Sequence, residues 1–155
     1  MFFDPPDISD RESWAFPAAT GSYRGLDLAL LDRDAEGEGR YLIEAEHPWF
    51  ADALRAGVEL DVGGQPMSPR LHISMHEVLT TQLWTDDPPE VWPAVQRLTG
   101  LGYDRHVVLH MVASLVSEDL WETVQHGKPF DREQYAQRLA SLPEGWPPPG
   151  QAVAH

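Results

Sequence analysis

The chain contains no cysteine, which excludes disulfides and every chemistry that needs a thiolate. It has no run approaching the roughly 18 apolar residues that a membrane span requires. Basic residues are few: 11 Lys and Arg stand against 25 Asp and Glu, a net charge of −14 with histidine neutral. A surface that acidic repels nucleic-acid phosphates and anionic lipid, so neither nucleic acid nor membrane is an expected partner. The opening Met1-Phe2-Phe3-Asp4-Pro5-Pro6 lacks the basic-then-apolar layout of a signal peptide, and the expected setting is the cytoplasm. A Gly-rich phosphate loop and a Gly-x-Ser-x-Gly elbow are missing too, so no complete catalytic apparatus is visible.

What is present fits one soluble globular domain: 155 residues, 42% hydrophobic and 23% charged. Residues 1–24 are rich in Pro, Asp, Ser and Gly, with Trp14 and Phe16 as isolated apolar anchors, and are expected to form an extended or poorly ordered arm. Residues 25–142 are expected to form a single helical domain, and the Pro-rich stretch 143–155 a loose tail. Leu26–Leu31 and Tyr41-Leu42-Ile43 flank a polar loop; periodicity does not separate helix from hairpin there, with a lean toward helix. Pro48 opens a further helix that Gly57 closes, and Val58–Val62 reads as a short extended piece before the break at Gly63-Gly64-Gln65-Pro66.

The middle of the chain is clearer. Ser68 before Pro69 is a cap with proline at the first helical position, predicting a helix to about Trp84. Asp87-Pro88-Pro89-Glu90 reads as a second start, with a helix over 88–100. A third helix runs from near Asp104 to His126, apolar on almost every side between Val107 and Val116, with Gly127 as its left-handed terminator. Asp131 caps a fourth, carrying Tyr135, Leu139 and Leu142. The expected fold is all-α: a small bundle of four to five helices with an irregular N-terminal segment.

The unusual feature is the spacing of histidine. His72 and His76 are four apart, as are His106 and His110. On a helix such residues lie about 40° apart and one turn above each other, so both rings reach one ion. With seven histidines in the chain, chance placement gives roughly 0.3 such pairs, so one means little and two are harder to dismiss. If short connections run three consecutive helices up, down and up, both pairs fall in the first two turns of parallel helices. The middle helix, rising about 20 Å, returns the chain to the same level. Four convergent imidazoles suit a divalent transition ion, zinc first and nickel, iron or copper after it. They do not suit calcium or magnesium, which take oxygen.

Two rival readings stand beside this one. Buried histidines often satisfy themselves with carboxylates or backbone carbonyls, giving a structural cluster in a non-catalytic adaptor domain. Paired helix N-termini also make an anion or small-ligand pocket without metal. Glu77 follows His76 directly and turns about 100° away, so it is no transferred general base. Glu118, two turns beyond His110, is placed as outer support for the ligands or as helix-surface charge. Trp121 lies near the histidine face of its helix, where core packing or a place behind the ligands is expected. His126 is a partner for its own helix's C-terminal dipole, and His155 carries no role.

Several of these segments together resemble a bacterial family catalogued as domain of unknown function 1841. They are Ser68-Pro69-Arg70-Leu71-His72-Ile73-Ser74-Met75-His76, Asp87-Pro88-Pro89, Asp104-Arg105-His106 through His110, Glu118-Asp119-Leu120-Trp121 and Gly127-Lys128-Pro129-Phe130. His47-Pro48 resembles a further motif of that family. The likeness covers roughly residues 40–142, and Ser68 stands where many relatives carry Asn, an exchange that cap chemistry allows. The resemblance implies a helical fold and a residue set but no reaction, and it makes His47 a fifth candidate ligand. If three histidines bind and water completes the shell, metal-dependent hydrolysis is the first enzymatic reading. If four close a tetrahedron, the site is structural or a sensor. A protein partner would meet exposed Trp49, Trp84 or Trp92, or the acidic face.

Overall fold

The computed structural model describes residues 2–34, 37–62 and 64–152. It divides into two compact units, Met1–Thr80 and Thr81–His155, the division falling within one long helix. Helix dominates both. The expectation of a purely all-α bundle is corrected: among the described residues there are seven α-helices, more than the four to five expected, and three small two-stranded sheets.

In the first unit, β1 (Phe2–Phe3) pairs antiparallel with β2 (Ala19–Thr20), matching Phe2 with Thr20 and Phe3 with Ala19. Between them α1 (Arg11–Ala15) starts on Asp10, whose carboxylate accepts from the Ser13 N–H at 3.2 Å. Trp14 and Phe16, in the stretch expected to be an arm, are buried. β3 (Ser22–Tyr23) and β4 (Leu26–Asp27) close a hairpin on Arg24-Gly25. Both turn residues have positive φ, the geometry that a two-residue hairpin loop demands.

A 3-10 turn over Leu28–Leu30 follows, capped by Asp27 through the Ala29 N–H at 3.0 Å. The lean toward helix for the segment around Leu26–Leu31 therefore gives way to a strand and one tight turn, because Asp27 diverts the backbone. Part of the polar loop that follows, residues 35 and 36, lies outside the described residues. α2 (Glu38–Ala45) buries Leu42 and Ile43. A Cβ on Gly39 would come within 2.6 Å of the buried Phe16 ring, so glycine here is what lets the ring lie against the helix.

A 3-10 turn at Pro48–Phe50 leads into α3 (Ala51–Ala56), which Gly57 closes at φ +70. β5 (Leu60–Val62) and β6 (Gln65–Met67) then pair antiparallel. The expected chain break therefore holds a hairpin, although Gly63 lies outside the described residues. α4 (Pro69–Thr85) begins on Ser68, whose hydroxyl accepts from the Leu71 N–H at 3.2 Å.

The second unit is built from the end of α4 with α5 (Val91–Gly100), α6 (Arg105–His126) and α7 (Arg132–Ser141). The last three pack on one another around Val95, Leu98, Val108, Met111, Val112, Tyr135 and Leu139, all buried. The second helix starts at Val91 and not at Pro88, a correction with a clear cause. The Asp87 carboxylate binds Arg132 instead of capping, and residues 88–90 form a turn in which the Val91 N–H reaches the Pro88 carbonyl at 3.3 Å. Gly127 ends α6 at φ +64, the left-handed terminator that the sequence predicts.

Arg97 donates to the carbonyls of Leu139 and Leu142, both at 2.9 Å, and so holds the C-terminal end of α7. In the stretch expected to be a loose tail, the Pro147 carbonyl accepts from the Tyr103 hydroxyl at 2.7 Å. His155 lies outside the described residues. No described helix is long and apolar enough to cross a membrane.

Candidate metal centre

The first unit gathers three histidines. His47 follows the end of α2 and precedes Pro48. Its ring is 1% exposed, and Nδ1 lies 2.7 Å from the Ile43 carbonyl, one turn back. A carbonyl only accepts, so Nδ1 carries the proton and the lone pair sits on Nε2. Ring orientation and tautomer are thus fixed by a backbone group, the arrangement that usually stands behind a metal-bound histidine.

His72 and His76 occupy the first two turns of α4. Their Nε2 atoms face each other at 3.1 Å. His76 is buried, while His72 is partly open to solvent. The three rings surround a common point: centroids lie 5.0 Å apart for His47 and His72, 4.6 Å for His47 and His76, and 4.8 Å for His72 and His76. Each offers a ring nitrogen within 4.8 Å of the others. Two nitrogens 3.1 Å apart, each about 2.0–2.1 Å from one ion, subtend an angle of about 95–100° there. That value lies between octahedral and tetrahedral and suits a zinc-sized transition ion.

The surroundings are charged in an organised way. Arg40 on α2 donates to Glu77 on α4 at 3.0 Å and lies 3.4 Å from Glu44. Glu44 is buried and also accepts from the Tyr23 hydroxyl at 3.1 Å, with Arg24 at 3.5 Å. Burial, reinforced by the Glu44 carboxylate, raises the Tyr23 phenol above its usual range. Glu77 therefore faces a guanidinium. The partial positive charge of the α4 N-terminus favours neutral imidazole at His72 and His76, the form in which a nitrogen binds metal. Trp49, 55% exposed, lies with its ring 5.1 Å from His47 and marks the solvent side of the cluster.

In the second unit, His106 and His110 sit in the first two turns of α6 with rings 5.1 Å apart, both half-buried. The i, i+4 geometry expected of both pairs is thus present in each. Glu118 and Trp121 are not grouped with the α6 pair. They lie eight and eleven residues past His110, about 12 and 16 Å along the axis. Glu118 faces Arg138 at 3.7 Å. Trp121, expected in the core or behind the ligands, is 56% exposed, with His126 against its ring at 5.1 Å.

Two features escape a reading of spacing alone: the Ile43 carbonyl behind His47, and the Arg40–Glu77 bridge. The i, i+4 pair Arg40 and Glu44 was a visible trace of the second; nothing in the sequence marks the first.

A mostly helical protein with a built cluster of imidazoles is the class these observations define. The family model described as Domain of unknown function (DUF1841) matches residues 43–141, and the chain belongs to that family. The match contains all five candidate histidines, running from Ile43 to the end of α7. Comparison with curated proteins and with solved structures yields no match.

Proposed function

We propose that this chain is a metal-binding protein whose histidine cluster holds one divalent transition ion, zinc before nickel, iron or copper. His47, His72 and His76 are its ligands in the first unit. The repeated four-residue spacing makes His106 and His110 the candidate ligands of the second unit. One observation carries the reading: Nε2 of His72 and Nε2 of His76 stand 3.1 Å apart while the Nδ1 proton of His47 is already taken by Ile43. Three imidazoles whose ring nitrogens lie within 4.8 Å of one another support a shared ion.

When bound with a water in its shell, such an ion lowers that water's pKa toward neutrality, which would support hydrolysis. This chain's residues supply the rest. Ile43 holds the His47 tautomer, and Arg40 pairs with the Glu77 carboxylate at 3.0 Å. The acidic balance, 25 Asp and Glu against 11 Lys and Arg, supports a protein that does not bind nucleic acid or anionic membrane. The same 3.1 Å contact also favours a second reading. If one Nε2 carries a proton and the other accepts it, the cluster satisfies itself and is purely structural.

Elemental analysis of untagged protein and cobalt(II) titration separate the two. The metal reading expects one ion per chain, a visible cobalt absorption band and a loss of affinity of about tenfold or more in His72→Ala. Metal-free protein whose weak cobalt uptake is unchanged by His72→Ala would overturn it.

A further inference from the structure

The three rings gathered in the first unit come from two separate segments. His47 leaves the end of α2 with Nδ1 2.7 Å from the Ile43 carbonyl, whereas His72 and His76 stand on α4 with Nε2 atoms 3.1 Å apart. Each of these contacts stays within its own segment. An ion shared by all three rings therefore needs α2 and α4 at one spacing.

Arg40 crosses between the two helices. Its Nε lies 3.4 Å from Glu44, one turn on along α2, and its Nη1 donates to Glu77 on α4 at 3.0 Å. Glu77 directly follows His76, so the bridge lands beside a candidate ligand. The other foot is anchored: Glu44 is buried, accepts from the Tyr23 hydroxyl at 3.1 Å and has Arg24 at 3.5 Å. One planar guanidinium thus spans a held carboxylate on its own helix and a carboxylate on the helix of His72 and His76.

We infer that Arg40 is a positioning residue for the metal centre: bridging Glu44 and Glu77, it sets α2 against α4 and so His47 against His72 and His76. The inference rests on the metal reading given above. A guanidinium stays protonated and is no ligand, so Arg40 acts through the helices. The side chains of Arg40 and Glu77 are 31% and 38% exposed, a setting in which an ion pair adds little to global stability. Its loss should be felt in the spacing of the imidazoles, where metal affinity is sensitive to the groups behind the ligands.

Cobalt(II) titration of the full chain, read by the visible absorption band, tests this. In Arg40→Ala and in Glu77→Gln affinity should fall by about tenfold or more, and the band should change in intensity as coordination geometry changes. Both changes together should lose no more than either alone, because each breaks the same bridge. Arg40→Lys keeps the charge without the fork and should fall between parent and Arg40→Ala. The metal-free melting temperature of each should stay within about 2–4 °C of the parent's. Arg55→Ala, which breaks the pair with Asp52 on α3, should leave cobalt binding unchanged.

Parental affinity and spectrum in Arg40→Ala and Glu77→Gln would overturn the proposal and leave the metal centre standing. Tighter binding in Arg40→Ala would also overturn it, because Glu77 would then be a carboxylate withheld from the ion. Additive losses in the double variant would show two separate effects and no bridge. A larger drop in metal-free melting temperature, not recovered by Arg40→Lys, would assign Arg40 to the fold alone. Failure of the parent itself to take up cobalt is a different result: it would sink the metal reading, and this inference with it.

Discussion

Single side chains in this protein are set by the partners they find, and Asp119 shows how this reaches stability. It is 8% exposed. One carboxylate oxygen takes a hydrogen bond from Arg138 at 2.5 Å, while Oδ2 is buried without a protein partner. Burial raises its pKa, with the Arg138 charge opposing the shift. A carboxyl whose pKa is higher folded than unfolded binds more protons in the native state, so its contribution to stability falls as pH rises through that window. Asp119→Asn removes the titration and keeps an oxygen for Arg138. The variant should therefore gain on the parent, in urea unfolding, as pH moves from about 4 toward 7. A gap that stays constant or shrinks would rule out this account.

At the scale of elements, a local start signal made α4 and α7 legible in the sequence, whereas α1, capped by Asp10, lies in the stretch expected to be an arm. Ser68 and Asp131 each accept a hydrogen bond from an N–H three residues on, at 3.2 and 3.1 Å, and each is followed by a helix where the pattern predicts one. Asp131→Ala should cost about 1 kcal/mol in chemical denaturation, and Asp131→Asn should recover most of it. An unchanged unfolding midpoint in the alanine variant would mean that packing of Tyr135 and Leu139 alone fixes the start of α7.

Elements decided by distant partners were not legible. Asp87 has the composition of a cap but is drawn to Arg132, 45 residues away. Trp121 lies on what looks like a core-facing direction of α6, yet no element covers it to the degree expected of a core residue. Leu26–Leu31 has the hydrophobicity of a helix, and the turn at Arg24-Gly25 together with the Asp27 cap makes it a strand and a 3-10 turn instead. The candidate site divides in the same way. The i, i+4 histidines follow from helical periodicity, whereas the orientation of His47 depends on a carbonyl that spacing does not reveal.

For the whole molecule, the consequence of the histidine cluster is thermodynamic. Converging imidazoles exist only in the folded chain, so an ion held there stabilises that chain by mass action. At a free concentration one hundred times the dissociation constant the gain is about 2.7 kcal/mol. In a chain of this length each 1 kcal/mol moves the melting temperature by about 2–4 °C, so saturating zinc should raise it by roughly 5–11 °C and a chelator should reverse the rise. His72→Ala, with affinity lowered about tenfold, should gain only about 1.4 kcal/mol at the same zinc concentration, so its rise should be about half the parent's or less. A self-satisfied cluster makes the opposite forecast. Zinc would compete with the hydrogen bond between His72 and His76 rather than fill a vacancy, and the parent would melt at one temperature with or without the ion. Calorimetric scans of the parent and His72→Ala, each with zinc and with chelator, therefore decide between an ion holding the imidazoles and the imidazoles holding one another.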